Sequence, residues 1–237
     1  MIQNIVLVLG AIFLLFGCNN EPKPLMHTSE TVDADFAAQI EVNYHLFSNG
    51  DASEAINDAV AKKIKTQLNQ PNAVDLASAI KAFDDEYKAF KKDFEDSAQP
   101  WTLSIETEIL YQSENHLTIA LTTYQDTGGA HGNDRIDLLN FDPETGELLT
   151  YKDVFTDMES LKRIVEQEFH KNIASESNLD EQPDYFFGKE FQLPENFGFM
   201  EEGIIFLYNI YEVVSYDGGY MEFVVDVERL EPYLKTH

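Results

Sequence analysis

The chain has 237 residues, with 16 Lys and Arg against 43 Asp and Glu and a formal net charge of −27. That balance excludes a nucleic-acid partner, because phosphate binding needs a basic face, and leaves no general attraction to an anionic bilayer. Its one cysteine, Cys18, excludes an internal disulfide, a cysteine-ligated zinc site and a thiolate nucleophile in the body of the chain.

Residues 1–17 carry no Asp, Glu, Lys, Arg or His, and Ile5 to Phe16 is almost wholly apolar. Such a run falls short of the roughly 20 residues that span a bilayer and fits the apolar core of a secretory signal. Leu15-Phe16-Gly17-Cys18 resembles a bacterial lipoprotein cleavage site. The expectation is a signal over 1–17, lipid on Cys18 and a tether over 18–35, polar and containing Pro22 and Pro24. The protein would then be lipid-anchored to a bacterial membrane in the cell envelope.

Gln39 to Phe47 alternates with the period of a half-buried strand, and Ser48-Asn49-Gly50 breaks it. Asp51 followed by Glu54 has capping-box spacing. The helix it opens places Ile56, Ala59, Val60, Ile64 and Leu68 on one face. A second helix is expected from about Val74 to Asp96. Its stripe of Leu76, Ile80, Phe83, Tyr87, Phe90 and Phe94 reads as core, and its Asp and Lys residues as a solvated face. Gln99-Pro100-Trp101 ends the helices and marks the expected boundary between a 36–99 module and a 100–237 domain.

Strands follow at Leu103–Tyr111, Leu117–Thr123 and Ile136–Phe141, with turns at Ser113-Glu114-Asn115 and Asp142–Gly146. Short connections predict antiparallel neighbours. Thr156 and Glu159 form another capping-box pattern, before a helix buried through Met158, Leu161, Ile164, Val165, Phe169 and Ile173. Ser175 to Phe191 reads as a loop or short helical turn. Two strands flank Glu201-Glu202-Gly203, and Met221, Phe223, Val225 and Val227 alternate in a closing strand. The fold class expected is α+β, an antiparallel β-sheet packed against amphipathic α-helices.

Two segments carry a family resemblance. The first is Thr122-Thr123-Tyr124-Gln125-Asp126-Thr127-Gly128-Gly129-Ala130-His131-Gly132, followed by the Asp142–Gly146 turn and Leu149-Thr150-Tyr151-Lys152-Asp153-Val154-Phe155. The second is Gly203 to Gly219, with Tyr208, Tyr211, Glu212, Tyr216 and a Gly-Gly end. Together they resemble the C-terminal domain shared by RsiV-type anti-sigma factors and PdaC-type peptidoglycan deacetylases, over roughly residues 100–234. The strand and helix near Ala55-Ile56-Asn57 are similar to the module preceding that domain. The resemblance implies an envelope receptor, since lysozyme-sensing members use this domain to bind a protein. It also implies that deacetylase chemistry belongs to a separate metal-binding domain, of which no stretch here is similar. Because the apolar run starts at Met1, the expectation is the sensor or binding half alone.

The glycines around His131 read first as a tight bend with the histidine hydrogen-bonded beneath it, and otherwise as a loop presenting His131 to a ligand. Asp126, Asp134 and Asp137 are near in sequence, but no His-x-His, His-x-x-x-His or Asp-x-Asp spacing supports a metal cage, so no metal or cofactor is expected. Tyr208, Tyr211, Glu212 and Tyr216 suit a recognition surface, because tyrosines offer rigid area with a polar tip. Half-buried strand aromatics are the equal alternative. The ligand-binding set is therefore Tyr124, Gly128, Gly129, His131, Tyr208, Tyr211, Glu212 and Tyr216, with no catalytic residue assigned. No Gly-x-Ser-x-Gly elbow, phosphate loop or Ser-x-x-Lys is present. The expected partner is a cationic, lysozyme-like protein or a peptidoglycan-type glycan. An envelope glycan hydrolase using acids near His131 or Glu212, and a structural lipoprotein, are the alternatives.

Overall fold

The computed structural model describes residues 25–32, 34–96, 99–176 and 184–235. The expected signal, Cys18 and the start of the tether lie outside the described residues. A six-stranded sheet runs in chain order: β1 (Met26–Thr31), β2 (Gln39–Ser48), β3 (Thr102–Gln112), β4 (Leu117–Asp126), β5 (Asn133–Phe141) and β6 (Leu148–Leu149). All neighbours are antiparallel except β2 and β3. That parallel pair arises because α1 (Asp51–Gln67) and α2 (Leu76–Asp93) lie between the two strands and supply the crossover. The sheet is therefore continuous across Gln99. After α3 (Tyr151–Val154) and α4 (Met158–Glu176), a second antiparallel sheet forms from β7 (Asn196–Phe199), β8 (Gly203–Tyr208) and β9 (Met221–Asp226), and α5 (Val227–Leu230) follows. The α+β class stands, with two sheets rather than one.

Four layers result. The stripes of α1 and α2 pack on Val42, Leu103, Ile105, Leu117, Ile119 and Leu121 of the large sheet. The other face of that sheet meets the small one through Ala120, Leu138, Ile205 and Leu207. Covered on both faces, Leu117 to Leu121 is buried at five successive positions. On the far side of the small sheet, α4 inserts Phe169 among the rings of Phe186, Phe191, Tyr208 and Phe223, at 5.2 to 6.3 Å. At Gly198 the sheets approach so closely that a Cβ would sit 2.8 Å from Thr118 Cγ2.

A seam of side-chain amides joins the sheets. β6 covers only Asn140 and Phe141, so the rest of the β5 edge needs other partners. Leu138 N–H donates to Asn196 Oδ1 at 2.9 Å, and Asn140 Nδ2 donates to the Phe197 carbonyl at 2.7 Å. Asn209 pairs with Ile136 like a backbone group, accepting from its N–H at 2.9 Å and donating to its carbonyl at 2.8 Å. These bonds satisfy buried donors and acceptors that a bare apolar contact would leave stranded.

Several local expectations change. Residues 26–31, read as tether, form β1; every residue there is exposed, so there is no alternation to see, and pairing with β2 rather than burial makes the strand. Gly50, not Asp51, caps α1, without a side-chain bond, and Asp51 and Glu54 instead lie in its positively charged first turn. Asp75 caps α2 through Ser78 N–H. For α4 the capping is done by Asp157 Oδ1, which accepts from Glu159 and Ser160 N–H, while the Thr156 hydroxyl donates to the Tyr233 carbonyl. The true capping box is Thr150 with Asp153, on the single turn of α3. The segment before Phe191 contains the helical turn Tyr185–Gly188. Val227 leaves the closing strand to begin α5.

Candidate functional site

The loop between β4 and β5 starts with an Asp turn: Asp126 Oδ1 accepts from Gly128 N–H at 2.8 Å, and Gly128 sits at φ 80°. His131 follows, exposed. Its Nδ1 is 2.8 Å from the Gly132 carbonyl, which can only accept, so Nδ1 carries the proton and Nε2 is the bare acceptor. Tyr211 hydroxyl donates to that Nε2 at 3.2 Å. The Tyr216 ring stacks on His131 at 4.0 Å and 24°, and lies 5.8 Å from Tyr211. Three rings separated by up to 85 positions thus share one patch, with Tyr211 52% and Tyr216 36% exposed.

Gly132 and Tyr124 support that patch from beneath. A Cβ on Gly132 would meet the Tyr124 ring and hydroxyl at 2.4 Å. Gly132→Ala should therefore leave the fold intact, because the far end of a tyrosine can swing aside, yet expel Tyr124 from its place and displace His131. Loss of contacts from Tyr124 to residue 132 in nuclear Overhauser spectra, with a melting temperature within a few degrees of wild type, is the expected result. Gly129 makes only an ordinary contact, with the His131 carbonyl.

Tyr208 and Glu212, placed by sequence in the binding set, do not join this surface. Tyr208 is 1% exposed and donates its hydroxyl to the Gln192 carbonyl at 2.7 Å. Burial pushes its phenol up, as does the nearby Glu212. Glu212 accepts from Glu195 N–H at 2.6 Å and from Asn209 N–H at 2.8 Å, so each carboxylate oxygen holds backbone. Burial raises this carboxyl above the ordinary range, against the pull of those two donors. Glu212 thus braces the Asn209–Glu212 turn, where Tyr211 adopts φ 69°. The acids near His131 in sequence also separate in space. Asp126 serves the Gly128 turn, whereas Asp137 is buried against Lys63 at 2.8 Å and Arg135 at 3.1 Å. Arg135 continues to Glu195 at 2.8 Å.

Sequence reading missed this ion network, whose members look like ordinary surface charges, and it missed Phe187. That ring is exposed at φ 54°, beside a buried Phe186 that is also left-handed. Phe186 N–H donates to the Val213 carbonyl, tying this turn to the one that bears Tyr211.

Residues 33–134 match the family model described as Deacetylase PdaC, and residues 152–228 match the one described as Protein of unknown function (DUF3298). In chain order, then, the chain is similar first to a PdaC-type module and then to a DUF3298 module. A crystal structure of a DUF3298-family protein from Bacteroides fragilis is 19% identical, with a TM-score of 0.71, over 90% of this chain and 94% of that one. A DUF3298-family protein from Pseudomonas aeruginosa is 20% identical, with a TM-score of 0.63, over 91% of this chain and 94% of that one. These likenesses show the fold. No curated protein matches. The PdaC-type match holds β2 to β4 with α1 and α2, and ends just inside β5; the DUF3298 match holds α4 and the small sheet. His131 lies in the first matched segment and Tyr211 and Tyr216 in the second, so the ring cluster draws on both.

Proposed function

We propose that this protein is a non-catalytic binding module of the bacterial cell envelope, held to a membrane by lipid on Cys18, with His131, Tyr211 and Tyr216 as its recognition surface. The observation that carries the reading is the convergence of those rings on one exposed patch. Aromatic side chains with a polar tip are the usual anchors of binding interfaces. The partner is a cationic protein: a body of −27 steers such a protein to it, and the tyrosines then fix the docking. The resemblance to lysozyme-sensing ectodomains makes lysozyme the first protein to try. A peptidoglycan-type glycan is the second reading, favoured by the open ring of Tyr211, on which a sugar can stack. A hydrolase built on Glu212 is disfavoured by the two N–H groups that occupy its carboxylate.

Titration of lysozyme against the wild type, Tyr211→Ala and Tyr216→Ala, at rising salt, tests the reading. Each substitution should weaken binding by about 1.4–2.8 kcal/mol, roughly tenfold to hundredfold. Both side chains are partly exposed, so stability should change by under about 1 kcal/mol. A second cationic protein of similar charge is the control. If it binds as well as lysozyme, and the tyrosine variants bind both normally, the recognition surface is wrongly placed and the charge alone is responsible.

A further inference from the structure

The geometry points to a divalent transition-metal site at the edge of the large sheet, formed by the imidazoles of His27 on β1 and His45 on β2. In the antiparallel register His27 faces Phe47 and Ser29 faces His45, so the two histidines are diagonal neighbours on one face of the ribbon. Their ring centroids are 4.8 Å apart with planes at 69°. Two imidazoles on one ion, with metal–nitrogen bonds of about 2.0–2.1 Å and ligand angles of roughly 90–109°, have centroids about 4.5–5.2 Å apart. The observed spacing falls within that window without any strand movement.

The surroundings suit the same chemistry. His45 Nδ1 lies 3.0 Å from Thr107 Oγ1, which fixes the ring and leaves Nε2 as the nitrogen to ligate, as an outer hydrogen bond does for metal-bound histidines. The His27 ring makes no hydrogen bond to a described residue. His27 is exposed, so water can reach the ion and complete the coordination. Among the described residues no group of three or more His, Cys, Asp and Glu side chains is placed to hold a metal, so water has to supply the remaining positions. Imidazole pairs suit zinc, copper or nickel rather than calcium or magnesium.

Such an ion would staple β1. That strand exposes every residue and has no apolar anchor. Besides backbone pairing it is held by Met26 N–H on Asn49 Oδ1 and the Thr31 hydroxyl on Asn43 Oδ1, each at 2.8 Å. A metal bridging His27 to His45 adds a cross-strand bond where the edge is weakest.

Zinc titration of the full chain by calorimetry, at about pH 7.5, tests the site. The wild type should bind zinc, and His27→Ala should weaken that binding about tenfold or more. His170→Ala, on exposed helix surface, should bind as the wild type does. Zinc should also slow amide hydrogen exchange over Met26–Thr31 in the wild type and not in His27→Ala. His27 is exposed, so its loss does not threaten folding. Equal zinc affinity in wild type and His27→Ala, no zinc binding by the wild type, or unchanged exchange over β1 would each overturn the assignment.

Discussion

Asp84→Ala is expected to destabilise the protein by about 2–3 kcal/mol, an effect large for a charged residue on a helix. Asp84 is 1% exposed on α2. One carboxylate oxygen accepts from Ala37 N–H at 2.7 Å and Ala38 N–H at 2.9 Å, and the other pairs with Lys88. It thereby pins the entry of β2 against the helix layer. Alanine leaves both N–H groups without an acceptor, and Ala38 is buried. Lys88 is half-exposed and can turn to water, so its charge adds little to the loss. Asp84→Asn keeps one acceptor and should lose about half as much. Urea denaturation with unchanged m-values reads both numbers.

The same residue sets a pH dependence. Burial alone would raise the Asp84 carboxyl, but Lys88 and the Ala38 and Ala37 N–H donors outweigh it and hold the group below its ordinary value of 3.8. A depressed folded value means that the unfolded chain takes up its proton first as pH falls. The contribution is therefore full above about pH 5 and is lost as pH falls through the depressed folded value. In Asp84→Asn this component should vanish, so the stability gap to wild type should shrink toward acid pH. A gap that stays constant from neutral pH downward would mean the carboxylate is not held as described.

Much of the fold could be read in advance because burial writes itself as period. The α2 stripe of Ile80, Phe83 and Tyr87, the α4 stripe of Leu161, Val165 and Phe169, and the alternation of Leu103 with Ile105 all lie in the core. Where burial does not choose one face, the sequence falls silent. β1 buries nothing, and β4 buries both faces, so neither shows the whole of its role in its pattern. The parallel pairing of β2 with β3 follows from chain crossover rather than from any residue. Asp84 and Asp137 look like members of a solvated surface, since only the donors aimed at them distinguish a buried carboxylate from an exposed one.

The site divides in the same way. The glycine-rich loop and the tyrosines each stood out locally, because positive φ and exposed aromatic tips are properties of single residues. That His131 and Tyr211 touch is a property of the fold. Tyr208 and Tyr211 are three residues apart, yet the strand takes the first into the core and the left-handed turn lifts the second into solvent. No spacing rule separates them. Glu212 illustrates a related point: an acid beside a tyrosine reads as a ligand group, while in the fold both its carboxylate oxygens accept from backbone N–H groups.

Asn209→Ala is expected to cost about 2–4 kcal/mol, because it removes a buried amide that replaces a missing strand. Asn209 is 5% exposed, and alanine strands the Ile136 N–H and carbonyl together. The loss falls on the seam between the two sheets and at the root of the turn bearing Tyr211, so ligand binding should weaken with stability. Asn209→Asp separates the two bonds. Its carboxylate still accepts from Ile136 N–H but sets an oxygen against the Ile136 carbonyl, where only a donor is tolerated. The protonated acid restores that donor, so the folded pKa of the new carboxyl must lie above the unfolded one. A raised folded value makes the variant most stable below the ordinary carboxyl range and progressively weaker as pH rises through it. The deficit of Asn209→Asp relative to wild type should thus be smallest near about pH 4 and largest at neutral pH, whereas that of Asn209→Ala should not vary with pH. Parallel deficits in the two variants would show that the amide does not bridge the seam by donating to Ile136.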